Sequence, residues 1–209
     1  MKRIIALWLA ALMLAAQPVQ AAVCVGFGQS ATKLSVSENF DDHTNLASID
    51  TLHGWVHPNE PDDAWADARS VTDQVVGTSS RRSLAYWGAD VFAADQKACL
   101  TVKALGTGGP AVRIEPGTSA GRYWVSTSGG NYILLKGWSI TLATYGGQSV
   151  GDVVCLSATG TSTTTLTVSI NGIDQTPYDD SSTPHTSGQP GVEMSGNIFY
   201  GDDWTAEEL

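Results

Sequence analysis

The chain has 209 residues, of which 42% are apolar and 15% charged, enough for one domain with a substantial core. Its 21 acidic residues outnumber 11 basic ones, for a formal charge of −10 at pH 7. That balance argues against nucleic acid as a partner, because phosphates are met by clustered Lys and Arg and no such patch is visible. It suits solubility and divalent cations.

The chain opens with Met1-Lys2-Arg3, then an unbroken apolar run from Ile4 to Ala16. The run falls short of the ~20 residues that cross a bilayer. Gln17-Pro18 ends it, and Val19-Gln20-Ala21 supplies the small or neutral residues that a signal peptidase reads. Residues 1–21 are therefore predicted to be a secretory signal peptide cut after Ala21, with Ala22 as the alternative. Residues 22–209 then form a single exported domain, secreted or periplasmic. Loss of Lys2 and Arg3 takes the formal charge from −10 to −12. Cys24, just past the cut, raises a lipid-anchored alternative. Val23 stands where a lipobox needs a small residue, so free release is preferred. No second apolar stretch is long enough to span a membrane.

Beyond residue 22 helical periodicity is nearly absent. Short alternating runs bounded by Gly, Asn, Asp and Ser predict an all-β fold, a sandwich or barrel. In chain order the predicted strands are 83–87, 98–105, 111–115, 122–126, 132–136, 140–144, 153–158, 164–170, 173–176 and 198–204. The sharpest local signal is Asn171-Gly172 between two apolar alternations, since a two-residue type I′ hairpin turn needs positive φ at both positions. Residues 55–80 carry the least regular pattern, and the acidic, turn-rich stretch 59–67 reads as a surface loop or a single helical turn.

Alternation also assigns faces. Ala98, Leu100 and Val102 form a core face, and so do Val154, Leu156 and Ala158; Cys99 and Cys155 point away from both. An oxidising compartment permits one disulfide among the three cysteines. If those strands are neighbours, it is Cys99–Cys155.

Three stretches together resemble the laminin-G-like branch of the concanavalin A-like lectin/glucanase superfamily. The first is Ser37-Glu-Asn-Phe-Asp-Asp42, followed by an isolated Trp55. The second runs from Ala85-Tyr-Trp-Gly-Ala-Asp90 through Cys99-Leu-Thr-Val to Gly109-Pro-Ala-Val-Arg113. The third comprises Gly151-Asp-Val-Val, the Asn171-Gly172 hairpin, Ser187-Gly-Gln-Pro-Gly191 and Gly201-Asp-Asp-Trp204. The resemblance spans Val36 to Trp204. It implies a jelly-roll sandwich of two curved antiparallel sheets, and it leaves function open, because such folds carry lectins, glycanases, lyases and structural modules.

Related sandwiches often hold a structural Ca²⁺ between their first and last strands. The matching positions here are Glu38 and Asp203, with Asp202 and Asp41 in reserve; hard oxygen ligands from both ends of the chain suit that ion. An acidic edge that keeps terminal strands unpaired is the plainer reading of the same residues. The related glucanases carry Glu-x-Asp-x-x-Glu on one strand. No such string occurs here, and the carboxylates of Glu115 and Glu193 have no evident partner for glycoside hydrolysis. His53 and His57 have zinc-chelating spacing only on a helix, which Gly54 and Pro58 oppose.

For a glycan ligand, the useful parts are aromatic rings and hydrogen-bonding groups on a concave face. Arg113, Trp87 and Trp124 are the preferred set, although any such aromatic is more often core than contact. Arg113 alternates with Val112 and Ile114, which predicts an outward guanidinium. Trp124 alternates against Tyr123 and Val125. Trp87 shares a face with Ala85 and points either into the concavity or into the core. The sequence thus favours a non-catalytic carbohydrate-binding or adhesive module that meets a glycan or cell-surface polysaccharide. A polysaccharide hydrolase or lyase with a non-standard site is one alternative, and a protein-interaction domain without a small ligand is the other.

Overall fold

Sixteen strands make up the regular structure of the chain among the described residues. The computed structural model describes residues 33–40, 54–56, 68–70, 74–77, 82–118, 121–195 and 199–209. The predicted signal peptide, Cys24, Asp41, His53, His57 and the acidic stretch 59–67 lie outside them. Residues 33–209 form one compact unit.

The strands are β1 (Ser35–Glu38), β2 (Trp55–Val56), β3 (Ala68–Ser70), β4 (Val75–Gly77), β5 (Arg82–Trp87), β6 (Gln96–Ala104), β7 (Thr107–Ile114) and β8 (Tyr123–Ser128). They continue with β9 (Asn131–Lys136), β10 (Ile140–Gly146), β11 (Val153–Thr159), β12 (Thr164–Ile170), β13 (Ile173–Asp174), β14 (Tyr178–Asp180), β15 (Gln189–Ser195) and β16 (Tyr200–Glu208). A nine-stranded sheet has the order β13-β12-β11-β6-β16-β4-β3, with β1 also on β16 and β14 also on β12. A seven-stranded sheet has the order β10-β9-β8-β7-β15-β5-β2. All pairings are antiparallel. The expected all-β jelly-roll sandwich is the observed fold.

Most predicted strands fall within a few residues of the observed ones. Residues 55–80 are described only in part. Among the described residues they carry three short strands, β2, β3 and β4, whose two- and three-residue lengths give alternation no room to register. β15 also went unread, although it sits between β5 and β7 near the middle of its sheet. Its Pro190 and Gly191 resemble a turn; in the fold, Gly191 is needed because a Cβ there would collide with the Ala85 carbonyl of the neighbouring strand.

The main core fills the space between the sheets. Ala98, Leu100, Val102, Val154, Leu156 and Ala158 from one sheet pack with Val112, Tyr123, Val125, Leu134, Val192 and Met194 from the other. The intervening residues of the seven-stranded sheet form a second apolar cluster on its outer face: Leu84, Tyr86, Ala111, Ile114, Trp124 and Leu135. Two-sided burial explains why the middle of that sheet reads as nearly continuous apolar sequence.

Cys99 and Cys155 face one another across β6 and β11, and the predicted disulfide joins them with 4.0 Å between Cα atoms. The Asn171-Gly172 turn has φ of 52° and 78° at its two residues, as the type I′ reading requires. It is also held by side chains. The Asn171 amide donates to Asp152 at 2.8 Å, and Asp152 accepts from the Tyr132 hydroxyl at 2.6 Å and from the Ser149 amide at 2.8 Å. Burial alone would raise the Asp152 pKa; those three donors more than offset it and hold it below the ordinary carboxylate value.

Candidate functional site

The three predicted ligand residues do not meet on one exposed surface. Arg113 has a φ of 53° and sits at a bulge, where Ile114 pairs with Gln189 and Ala111 with Gly191, leaving one extra residue on β7. The bulge breaks the alternation from which an outward guanidinium was expected. The side chain is instead fully buried. Its Nε donates to the Ala94 carbonyl at 2.9 Å, Nη1 to Thr164 Oγ1 at 2.6 Å and to the His185 carbonyl at 2.7 Å, and Nη2 to the Gly160 carbonyl at 2.7 Å. Asp95 lies 3.5 Å from Nη2. Such a guanidinium ties the two sheets together and has its donors occupied.

Trp87 resolves toward the core. It packs among Trp55 and Trp204, with ring centroids 5.9 and 6.1 Å away, and its Nε1 donates to Asp90 at 3.0 Å. Trp124 lies on the outer face of the seven-stranded sheet as its alternation indicated, but it is buried there and donates to the Gly137 carbonyl at 3.0 Å.

Another tryptophan stands where a ligand could reach it. Residues 137–139 form the turn between β9 and β10, and Trp138 at its tip is 44% exposed. It borders a pocket of about 340 Å³ lined by Lys136, Gly137, Trp138, Ser139, Ile140 and His185. On the outer face of the sheet, the Arg122 guanidinium carbon lies 6.0 Å from the centre of the Trp138 ring, within cation–π range. Arg122 and Glu193 form a two-point ion pair through Nε–Oε2 and, at 2.8 Å, Nη2–Oε1; both side chains are fully buried. Glu193, without an evident partner in the sequence, is therefore matched by Arg122, the residue just before β8.

Two of the lining residues, Lys136 and His185, belong to a dense polar cluster. Asp180 accepts from the Tyr123 hydroxyl at 2.6 Å and pairs with Lys136 at 2.7 Å. Lys136 also donates to the carbonyls of Ser182 at 2.6 Å and Thr183 at 2.9 Å. Burial would raise the Asp180 pKa, yet Lys136, Tyr123 and the Ser182 amide pull it below the usual carboxylate value. Burial and the same carboxylate keep the Tyr123 phenol protonated.

His185 is anchored by its backbone. Its amide donates to the Tyr123 hydroxyl at 2.9 Å, and its carbonyl accepts from Arg113 and from Thr164 Oγ1. Its ring stands edge-on to Tyr123 with centroids 5.1 Å apart. Burial, then the Lys136 charge, lowers its pKa, so the imidazole is neutral at pH 7. Arg113 thus bears on the pocket indirectly, by fixing the segment that carries His185.

Elsewhere on the fold, Glu38 and Asp203 line a common cleft of about 410 Å³ with Ser37, Asn39, Trp204 and Thr205. β1 and β16 pair there, Glu38 opposite Trp204. Asp203 has a φ of 49° and lies in a bulge of β16. Glu38 Oε1 accepts from the Phe40 amide at 2.9 Å, and Asp202, the reserve ligand, pairs with Lys103 at 3.1 Å. No cluster of three His, Cys, Asp or Glu with metal-binding geometry occurs among the described residues.

No protein-family model matches the chain, and no curated protein sequence does either. Solved structures are similar to it in shape. A prokaryotic β-1,3-1,4-glucanase (lichenase) derived from a mouse hindgut metagenome matches with a TM-score of 0.52 and 11% identity, over 83% of this chain and 98% of its own. That match shows a shared fold, the two-sheet jelly-roll sandwich, and no more. The carbohydrate recognition domain of Emp47p matches with a TM-score of 0.49 and 13% identity, over 87% of this chain and 99% of its own. The alginate lyase Aly36B matches at 0.46 and 9%, over 84% and 97%. The activities of these neighbours remain their own.

Proposed function

We propose that the chain is an exported, non-catalytic module that binds carbohydrate at the β9–β10 tip. The observation that carries this reading is Trp138: an aromatic ring substantially exposed at the mouth of a pocket, with Ser139 and the neutral His185 beside it. A flat ring accepts the C–H face of a pyranose while neighbouring polar groups orient its hydroxyls. Against catalysis, Asp180 and Glu193, the buried carboxylates nearest the pocket, are each engaged by a cation. Hydrolysis would need one carboxyl free to protonate the leaving group and another to act opposite it. The signal-like segment 1–21 and the disulfide both suit an oxidising, extracytoplasmic setting.

The test is binding of residues 22–209 to a broad glycan array. Trp138→Ala is expected to lose binding by roughly tenfold or more, about 1.4 kcal/mol, with the fold intact by circular dichroism. New reducing ends or unsaturated products from a bound chain would instead establish a hydrolase or lyase.

Calcium belongs to the same reading as a structural ion. Glu38 and Asp203 share one cleft, and Asn39, Ser37 and Thr205 add oxygens of the hard type that Ca²⁺ takes. Bound there, it would pin β1 to β16 and neutralise acidic charge. Millimolar calcium is expected to raise Tm by a few degrees (a gain of about 1 kcal/mol at this size). EDTA should reverse the gain, and Glu38→Gln/Asp203→Asn should abolish it. An unchanged Tm on calcium addition rejects the site.

A further inference from the structure

We infer that the pocket at the β9–β10 tip takes uncharged sugar residues, and so a neutral polysaccharide, and rejects polyuronate and sulfated chains. This rests on the carbohydrate reading above and narrows its ligand.

The reason lies in how the cations around Trp138 are used. A pocket for uronate or sulfate needs a positive group with donors left to give, usually an arginine presented as a fork or a lysine as a point charge. Lys136 lines this pocket, but an ammonium has three N–H bonds. All three have partners in the Asp180 carboxylate and the Ser182 and Thr183 carbonyls. Arg122 lies under the Trp138 ring, but its Nε and Nη2 are engaged by both oxygens of Glu193 and its whole side chain is buried out of a ligand's reach. Arg113, the third cation near this end, gives its donors to four protein oxygens.

The remaining titratable groups press the same way. His185 is neutral at pH 7. Glu115 is exposed beside Gly121, and its carboxylate is among the charges that His185 feels. Lys136 is thus matched by Asp180, Arg122 by Glu193 and Arg113 by Asp95, and Glu115 adds negative charge close to His185. The chain as a whole is acidic, which adds long-range repulsion toward polyanions. What the pocket offers a ligand is an indole face, the Ile140 side chain, the Ser139 hydroxyl and an uncharged imidazole. Those groups recognise C–H faces and hydroxyls.

The experiment measures affinity of residues 22–209 for two sets of soluble oligosaccharides of matched length. One set is neutral (glucan, mannan and xylan fragments) and the other anionic (polyuronate and sulfated fragments). The expected result is binding to at least one neutral chain, roughly tenfold or more tighter than to any anionic chain. Trp138→Ala should abolish it, and it should change less than about twofold between 0.02 and 0.5 M salt, since no screened charge pair is made. Trp138-dependent binding to an anionic chain as tight as, or tighter than, to every neutral one overturns this inference and leaves the carbohydrate reading standing. Binding to neither set, by a protein that melts cooperatively, overturns both. A neutral ligand whose affinity collapses in high salt also counts against the inference, because it would reveal a charge contact that the paired cations do not provide.

Discussion

Two tryptophan-bearing regions of this sandwich do opposite things with the same side chain. Where β1, β2, β5 and β16 come together, Phe40, Trp55, Trp87 and Trp204 stack and tilt against one another, with Trp55 and Trp204 only 4.6 Å apart between centroids. Phe40, Trp55 and Trp204 are almost completely buried. At the β9–β10 turn, Trp138 lies against the Arg122 guanidinium and remains 44% exposed. Each member of the first group lies on or beside a strand with the opposite sheet to cover it. A residue at a hairpin tip has no second layer above it. Position in the topology, more than residue type, decides whether an indole holds the fold together or stands available to a ligand.

Substitution should separate the two regions sharply. Trp204→Ala removes a buried aromatic from the closed cluster and is expected to cost about 3–5 kcal/mol in chemical denaturation. Trp138→Ala should stay within roughly 0.5 kcal/mol of the parent, as surface changes do, while removing glycan binding. If both variants were equally destabilised, Trp138 would have to be counted as packing and the contrast would fail.

The buried Arg122–Glu193 pair sits between the regions in character, since it is structural yet lies against the ring of Trp138. Glu193→Leu strands a buried guanidinium and should cost about 3–5 kcal/mol. Arg122→Met together with Glu193→Leu should recover most of that loss, because a matched pair and a packed apolar pair can be similar in stability. A double variant as unstable as the single one would show that the arginine has a role beyond the pair.

A smaller effect follows from pH. The folded-state pKa of His185 lies below its ordinary value of 6.5, so its contribution to stability is complete above that value and declines as pH falls below it. Asp152 and Asp180 are also held below their ordinary 3.8. Their contribution is complete above that value and is lost as pH falls further. A thermal-melt series should therefore show Tm level from neutrality to about pH 6.5, a shallow fall below it, and a steeper one below about pH 4. His185→Gln should flatten the shallow step alone. A profile unchanged by that substitution would mean that the imidazole titrates as if it were in water.

Period-two patterning worked wherever a strand was long and regular. In β6 and β11, alternate residues go to the core and to the outside as read, which put Cys99 opposite Cys155 once the strands proved adjacent. It failed at Arg113, where an extra residue and a positive φ turn a side chain by one face. Nothing in Val112-Arg113-Ile114 marks a bulge, because neither Gly nor Asn announces the left-handed conformation. Trp138 could have been found. Gly137-Trp138-Ser139 separates two apolar alternations, and an indole in so short a turn has little around it to bury it.

By itself, then, the sequence determined the all-β class, the type I′ hairpin and the inward and outward faces of the regular strands. Each of these depends on neighbours along the chain or on composition. Only the tertiary structure decided which strands lie side by side, that Glu193 meets Arg122, that Arg113 closes the interior, and that Lys136 and His185 gather beside Trp138. Those contacts join residues from different strands and from the 182–185 segment, and their energies depend on burial and on donors already engaged, quantities that have no value until the chain has folded.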